Sequence, residues 1–212
     1  MNFKSNDFIK IIYNILNKDT EKVTEKDLEQ IARISIKGKT FLGEDTDIQT
    51  QDLINLKTLK SCNISYMNLR ESDFDNFNRL ELLENIQFNN CTFDCDKISF
   101  NRSVSSLYLY NCDNFDADLV GDNSLRTISL IGDKTKDCFD KLDIKSFKSL
   151  SGLEKVEIHY FNIQNIEKLL EFAPNIKELN IDGCMVENSK YVDELKNMIK
   201  VSNNEKFLLA GI

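Results

Sequence analysis

The chain has 212 residues, of which 41% are hydrophobic and 29% charged, and its formal net charge is −8. This is the composition of a soluble globular protein with material for a large core, and no run of about 18 apolar residues provides a transmembrane helix. The acidic balance argues against nucleic acid or an anionic membrane as the main partner, because phosphates attract Lys and Arg. It permits a basic protein partner, although charge that serves only solubility is the more common reading.

The N-terminal stretch predicts an amphipathic helix over residues 5–18, with Ser5 as its N-cap. Its apolar residues share one face: Phe8, Ile9, Ile12, Tyr13 and Leu16. A cap that packs on the rest of the chain is favoured over a helix on a lipid surface, because only Lys4 and Lys10 supply basic charge before Lys18. A second helix is predicted to begin at Thr24, with Asp27 in the reciprocal capping position.

The same stretch does not resemble a signal peptide, because Lys10 and Asn14 interrupt its apolar residues and no small-residue cleavage site follows. The six cysteines are therefore expected to be reduced thiols, and a cytoplasmic location is expected.

A spacing of apolar residues that fits neither a helix nor a plain strand recurs along the chain. One copy reads Leu83-x-x-Ile86-x-Phe88-x-x-Cys91-x-Phe93. Copies of this pattern start at positions 31, 59, 83, 104, 125, 153 and 176. In the copy after the first, a start at Leu56 is an alternative to Leu59.

The spacing has a simple physical reading. Positions 4 and 6 of each unit alternate inward on a short strand, position 9 turns in where the strand ends, and position 11 begins the return segment. No unit can cover its own apolar side, so neighbouring units must stack and share one core. The sequence therefore predicts a solenoid with a parallel sheet.

Over residues 31–186 the sequence resembles the leucine-rich repeat family, whose units are 20–29 residues long. The resemblance implies an α/β solenoid with a parallel β-sheet on the concave face, short helices or turns on the convex face, and a helical N-terminal cap like that of internalins. It also implies Asn or Cys at position 9, which Cys91, Cys112 and Cys184 match. Asp133 is a polar variant, and Lys39, Met67 and Phe161 depart from the pattern.

We expect one domain over residues 1–212, with an N-terminal cap at 1–30, repeats at 31–187 and a C-terminal cap at 188–212. The longer units are predicted to carry helices in "IQNIEKLLEFAPN", ending near Pro174, and in "KDCFDKLDIKSFKS". The 21-residue units have room only for extended segments or tight turns. A helix over residues 189–200 and an apolar segment at 207–212 are predicted to seal the last repeat.

Positions 3, 5, 7 and 8 are predicted to form the concave surface. The centre of this surface carries several aromatic side chains, and its C-terminal end carries acidic ones. Aromatic residues of this kind are enriched at binding hot spots. The predicted partner-binding residues are Tyr66, Tyr108, Tyr110, Ile131, Glu157, His159, Tyr160 and Asp182. Glu178 adds to the acidic end, which we expect to guide a basic partner. The competing explanation is that Tyr and Ile simply suit strands.

Catalytic or metal chemistry is not expected. His159 is the only histidine, and the repeat phase turns it away from Cys112 and Cys184. The spacing Cys91-x-x-x-Cys95, with Cys112 one unit later, suggests zinc only weakly, because paired CxxC motifs are absent. Phosphate-binding and metalloprotease motifs are absent as well. The sequence thus predicts no enzyme, no cofactor and no metal site.

The first functional hypothesis is a protein–protein interaction module that uses its concave face. In one form it is similar to the ribonuclease inhibitor type: an inhibitor, immunity or anti-defence protein that binds a basic enzyme. The second is a structural subunit or adaptor that uses its caps or convex face. The sequence leaves the identity of the partner and the oligomeric state open.

Overall fold

The computed structural model describes residues 3–18, 23–39, 43–113, 118–121, 124–136, 139–148 and 150–202. Five α-helices lie in these ranges: α1 (Asn6–Leu16), α2 (Glu25–Leu28), α3 (Glu71–Asn78), α4 (Leu169–Phe172) and α5 (Ser189–Leu195). Short 3-10 helices cover Thr50–Asn55, Ile144–Phe147 and Ile166–Lys168. Among the described residues, no helix has both the length and the hydrophobicity needed to cross a bilayer.

Both predicted helix starts at the N-terminus are confirmed. The Ser5 hydroxyl accepts a hydrogen bond from the Phe8 N–H at 2.9 Å, and the side chains of Phe8 and Ile12 are buried on the inner face of α1. The Asp27 carboxylate accepts hydrogen bonds from the Thr24 N–H at 2.8 Å and from the Thr24 hydroxyl at 2.9 Å. The first two helices are thus defined by their local capping residues.

Two carboxylates that are distant in sequence, Asp47 in a loop and Asp52 in the following 3-10 helix, hold the start of α1. Asp47 accepts hydrogen bonds from the Ser5 hydroxyl and from the N–H groups of Asn6 and Asp7, at 2.6 to 2.9 Å. Asp52 is buried and accepts two more, from the N–H of Ser5 and of the residue before it, at 2.9 and 2.7 Å. Together they satisfy backbone donors that a helix start leaves without partners. The Ser5 hydroxyl first, and then the N–H groups, lower the pKa of Asp47 to about 2.

Fifteen strands lie in the described ranges. They are β1 (Arg33–Lys37), β2 (Ser61–Ser65), β3 (Asn68–Arg70), β4 (Asn85–Asn89), β5 (Thr92–Asp94), β6 (Lys97–Phe100), β7 (Ser106–Tyr110), β8 (Asp118–Gly121), β9 (Thr127–Ile131), β10 (Lys141–Asp143), β11 (Lys155–His159), β12 (Asn162–Gln164), β13 (Glu178–Asn180), β14 (Met185–Val186) and β15 (Lys200–Ser202). Eight of them form one parallel sheet in the order β1-β2-β4-β7-β9-β11-β13-β15. The strands of this sheet follow one another in chain order, and three smaller parallel sheets, β3-β5, β6-β8 and β10-β12-β14, pair the return segments of neighbouring units. This is the arrangement of an α/β solenoid.

The register of the large sheet follows the predicted phase. Position-4 residues pair across it from strand to strand, as Cys62 with Ile86, Ile86 with Leu107, and Leu107 with Ile128. The pairing of Cys62 with Ile86 settles the alternative near residue 56 in favour of the start at Leu59. Because side chains alternate along a strand, this one register places every position-4 and position-6 side chain on the same side of the sheet.

The core lies between the large sheet and the return segments. Ile86, Phe88, Leu107 and Ile128 are buried on the inner side of the sheet. Phe88 belongs to an aromatic cluster, with its ring centroid 5.6 to 6.1 Å from those of three neighbouring phenylalanines. The cluster consists of Phe74, Phe77, Phe88, Phe93 and Phe100. Such packing fixes α3, β5 and β6 against the sheet.

The return segments agree only in part with the predictions. The 21-residue units carry the extended strands β6 and β8 as expected, and the predicted helix before Pro174 is present as a 3-10 turn followed by α4. The second predicted outer helix is wrong: β10 and a 3-10 helix lie there. The sequence also missed α3. The Phe41 position of the first unit and the apolar segment 207–212 lie outside the described residues.

The C-terminal prediction is corrected as well. Helix α5 ends at Leu195, not at Lys200, and β15 adds an eighth strand to the sheet beside β13. The pattern of this strand is weak because only Val201 matches an inward position, while Met198 at position 1 is 65% exposed. Periodicity alone could not separate it from the end of a helix.

Replacing Phe88 with Ala tests the shared core. The change opens a cavity in the phenylalanine cluster, so we expect the free energy of unfolding to fall by about 3–5 kcal/mol in urea denaturation. Leu82→Ala is the control, because Leu82 is 47% exposed and its truncation should cost little. Equal losses in the two variants would contradict the shared core.

Asp47→Asn tests the clamp on α1. The folded-state pKa of about 2 lies below the ordinary 3.8, so the carboxylate stabilises the fold above the higher value, and this contribution is lost as the pH falls through the lower one. We expect the variant to be less stable than the wild type near neutral pH, in urea unfolding followed by circular dichroism. The difference should close as the pH approaches about 2. Asp75→Asn, which makes the same charge change at an exposed position of α3, is the control and should leave the stability near neutral pH close to that of the wild type.

Candidate functional site

The large sheet has one side in the core and one side toward solvent. The solvent side, called here the open face, carries positions 3, 5 and 7 of each unit, and it is the side predicted to be concave. The β4, β7 and β11 strands alternate between buried and half-buried residues, with the half-buried ones on this face. The position-5 row runs Ser35, Asn63, Gln87, Tyr108, Ser129, Glu157, Asn180 and Ser202.

On β2 and β4 the open face carries a network of amides, and beyond it, on β1, Arg33 and Lys37 are exposed. The Gln87 amide donates to the Asn89 side-chain oxygen at 2.9 Å, and the Asn89 amide donates to the side-chain oxygen of Asn63. These side chains satisfy one another across β2 and β4. This region is therefore polar, uncharged and already hydrogen-bonded.

The middle of the open face carries the predicted ring cluster. Tyr108 lies in register with Gln87 on one side and Ser129 on the other, and Tyr110 lies between Asn89 and Ile131. Ile131 in turn pairs with His159, and Glu157 lies two residues before His159 on β11. The structure thus brings five of the predicted residues onto three adjacent strands: Tyr108, Tyr110, Ile131, Glu157 and His159.

Position 8 ends each strand, and in several units its backbone is left-handed. Asn90 and Asn111 have φ of 49°, and Gly183 has φ of 67°. These are the residue types that adopt this conformation at low cost. Tyr66 adopts it with φ of 57°, although a bulky side chain is strained there, and its side chain remains 47% exposed. Neither burial nor backbone preference therefore explains a tyrosine at position 66.

Tyr160 shares this backbone conformation, with φ of 61°, but its ring is packed. The ring centroid lies 6.1 Å from those of Phe139 and His159. It also lies so close to Gly183 that a Cβ there would come within 2.7 Å of the ring. Tyr160 therefore has a structural role beside any role in binding, in contrast to Tyr66.

The predicted acidic end is largely neutralised. The Glu157 carboxylate lies 2.8 Å from the Lys155 ammonium, and Glu178 lies 2.9 Å from Lys200. The hydrogen bond from Lys200 lowers the pKa of Glu178. Asp182 follows β13 and is half-buried. This end is a set of ion pairs, so the sequence overstated its negative charge.

The cysteines at position 9 satisfy backbone carbonyls. Each thiol donates to a backbone carbonyl on the large-sheet strand of the preceding unit. The distance from sulfur to oxygen is 3.6 Å for Cys91 and Cys112 and 3.2 Å for Cys184. Burial raises the pKa of the Cys184 thiol to about 12, so it stays protonated and is a poor nucleophile. Within the described ranges no three metal-binding side chains are grouped.

The position-5 row contains two buried polar atoms without hydrogen-bond partners, which the sequence did not predict. Ser129 is 1% exposed and its hydroxyl has no hydrogen-bond partner, and the side-chain oxygen of Asn180 is buried without a partner too. The repeat phase places both residues on the open face, but a spacing pattern does not reveal that these polar atoms are buried there, that of Ser129 between Tyr108 and Glu157 and that of Asn180 beside Glu157.

Comparison with known proteins adds little to this picture. No protein-family model matches the sequence, and no curated protein matches it. Among solved structures, the chain is similar to the crystal structure of an internalin, inlF, from Listeria monocytogenes, with 16% sequence identity and a TM-score of 0.39. The alignment covers 99% of this chain and 78% of the internalin chain. A similarity of this size identifies no partner, so function has to be derived from the side chains of the open face.

Tyr66→Asn tests the strain at position 8. Because Asn tolerates the left-handed backbone, we expect the free energy of unfolding to rise by about 1 kcal/mol in urea denaturation. The reciprocal change Asn90→Tyr should lower it by a similar amount. A destabilised Tyr66→Asn variant would mean that the exposed ring makes contacts worth more than the backbone strain.

Proposed function

We propose that this chain is a leucine-rich repeat protein that binds another protein, without catalysis, through the open face. The observation that carries the proposal is the ring cluster of Tyr108 and Tyr110 on a sheet side that the fold does not bury. The core takes positions 4 and 6, so side chains at positions 5 and 7 are free of that packing requirement.

Tyrosine suits such a face. A ring gives a large apolar area at a low cost in side-chain entropy, while the hydroxyl keeps a hydrogen-bonding group. Ile131 beside Tyr110 extends the apolar area, and the amide network of Asn63, Gln87 and Asn89 borders it. An apolar centre with a polar rim is the usual composition of a protein interface.

Tyr66 supports the same reading. The backbone of Tyr66 is strained and its side chain is 47% exposed, so we expect Asn at this position to be at least as stable and treat the tyrosine side chain as a candidate for function. It lies at the end of β2, beyond the amide network. We therefore place the edge of the binding surface there.

The partner is proposed to be basic. The chain carries a net charge of −8, which accelerates encounter with a positively charged protein and makes affinity fall with salt. The sharper form of the proposal is an inhibitor or immunity protein against a basic enzyme. This form is supported by the net charge, and the choice between inhibitor and adaptor depends on the identity of the partner.

The second candidate function is a structural subunit that assembles through its caps. It is favoured by apolar side chains exposed away from the ring cluster: Ile15 on α1 is 46% exposed, and Met198 after α5 is 65% exposed. Such residues are common singly on protein surfaces. The two candidates differ in which substitutions reduce binding.

Capture from the native cell at low and high salt, followed by mass spectrometry, identifies the partner. Isothermal titration with the purified partner should then give a Kd that rises by about 10-fold or more for Tyr108→Ala and for Tyr110→Ala. The melting temperature should change little, because neither side chain is part of the core. Tyr66→Asn should also weaken binding while the protein becomes more stable, a combination that unfolding cannot explain.

The matched controls are Ile15→Ala and Met198→Ala. Under the proposed function they leave the Kd unchanged, and under the structural alternative they raise it while the tyrosine variants bind normally. A large loss of stability in Tyr108→Ala with unchanged binding rejects the open face as the site.

A further inference from the structure

The two unpartnered polar atoms of the position-5 row, on Ser129 and Asn180, lie on either side of Glu157. Ser129, Glu157 and Asn180 are in register on β9, β11 and β13, one strand spacing of about 4.8 Å apart, and Tyr108 precedes them on β7. The Ser129 hydroxyl is buried without a partner although its neighbours Ile128 and Leu130 point into the core. Its side chain therefore belongs to the open face, between the larger Tyr108 and Glu157.

These groups share one chemical character. Glu157 and the Asn180 side-chain oxygen only accept hydrogen bonds, and the Ser129 hydroxyl can accept as well as donate. A buried polar atom without a partner costs stability, so a ligand that supplies donors to this row gains what the free protein lacks. Anions are disfavoured as ligands, because an anion also accepts hydrogen bonds and the Glu157 carboxylate repels it.

The free protein already keeps a cation at this place. Lys155 pairs with Glu157 at 2.8 Å, and the two side chains are 43% and 27% exposed, so the pair is open to exchange. The hydrogen bond to Glu157 raises the pKa of Lys155, and nearby Glu178 adds to this effect. Glu178 is paired with Lys200, and it can share its carboxylate with Lys155 when another cation takes Glu157.

We infer that Tyr108, Ser129, Glu157 and Asn180 form an anchor site for an arginine side chain of the partner, an inference that rests on the proposed function. A guanidinium has five donors and no acceptor, binds a carboxylate through two parallel hydrogen bonds and stacks on an aromatic ring. The Glu157 carboxylate accepts the two parallel hydrogen bonds, and the Tyr108 ring lies beside the row. The Ser129 hydroxyl and the Asn180 oxygen are buried in the free protein, and they accept donors on either side once the Glu157 side chain turns from Lys155 toward the ligand. A lysine ammonium is compact and cannot fill this arrangement as well.

The test uses small probes on the intact chain. In an NMR titration of the 15N-labelled protein at low ionic strength, Nα-acetyl-arginine amide should shift the backbone amides of Ser129, Glu157 and Asn180. Nα-acetyl-lysine amide should bind several-fold more weakly, and the neutral isostere Nα-acetyl-citrulline amide should shift none of them. Shifts located elsewhere, equal shifts from citrulline, or no shift from arginine would overturn the inference.

Variants separate a binding role from a structural one. Glu157→Gln should weaken arginine binding by about 10-fold or more, and Ser129→Ala by about 3-fold. Because Ser129→Ala removes an unpartnered hydroxyl, its melting temperature should stay the same or rise. Glu171→Gln makes the same charge change on α4, where Glu171 pairs with Lys168, and should leave the titration unchanged. An equal loss of arginine binding in Glu171→Gln would mean that binding depends only on the net charge of the chain, and it would overturn the proposed site.

The outcomes also distinguish this inference from the proposed function. If arginine does not bind but Tyr108→Ala abolishes partner binding, only the arginine site is wrong. If arginine binds at Glu157 while both tyrosine variants bind the partner normally, the site stands and the proposed function falls.

Discussion

Every buried side chain in the large sheet depends on a neighbour one strand away. The strand of a single unit has two inward residues, such as Ile86 and Phe88. Neither side chain is covered without the units before and after it. A slip of one residue in register would turn both toward water. Parallel, in-register stacking is therefore the constraint from which the core, the return segments and the open face all follow.

This constraint separates stability from recognition. The inward positions are restricted to apolar residues, while positions 5 and 7 accept amides, hydroxyls, rings and ion pairs in turn. The left-handed turn at position 8 restricts the backbone and not the side chain, so Asn90 satisfies it cheaply and Tyr66 does so under strain. Side chains that the stacking does not require, such as Tyr108 and Tyr66, are the informative ones for binding.

Much of the fold was predictable because its signal is repeated. The first seven strands of the sheet were found from spacing, and Ser5 and Thr24 from local capping chemistry. The pattern does not reveal the eighth strand, because Val201 has too few periodic neighbours. It also predicts a helix where β10 lies, because short apolar runs fit both structures. Residues of the candidate site could be placed on one face, but the pairing of Glu157 with Lys155 and the burial of Ser129 depend on side-chain contacts that spacing does not encode.

The clamp on α1 has a consequence for the order of assembly. Asp47 and Asp52 lie 40 to 48 residues after the backbone groups that they bind. On a ribosome, the first helix therefore emerges well before its carboxylate partners are made. The hydrogen bonds that hold the start of α1 can form only after residues 47–52 have been made, so this end of the sheet is completed by a segment that follows β1.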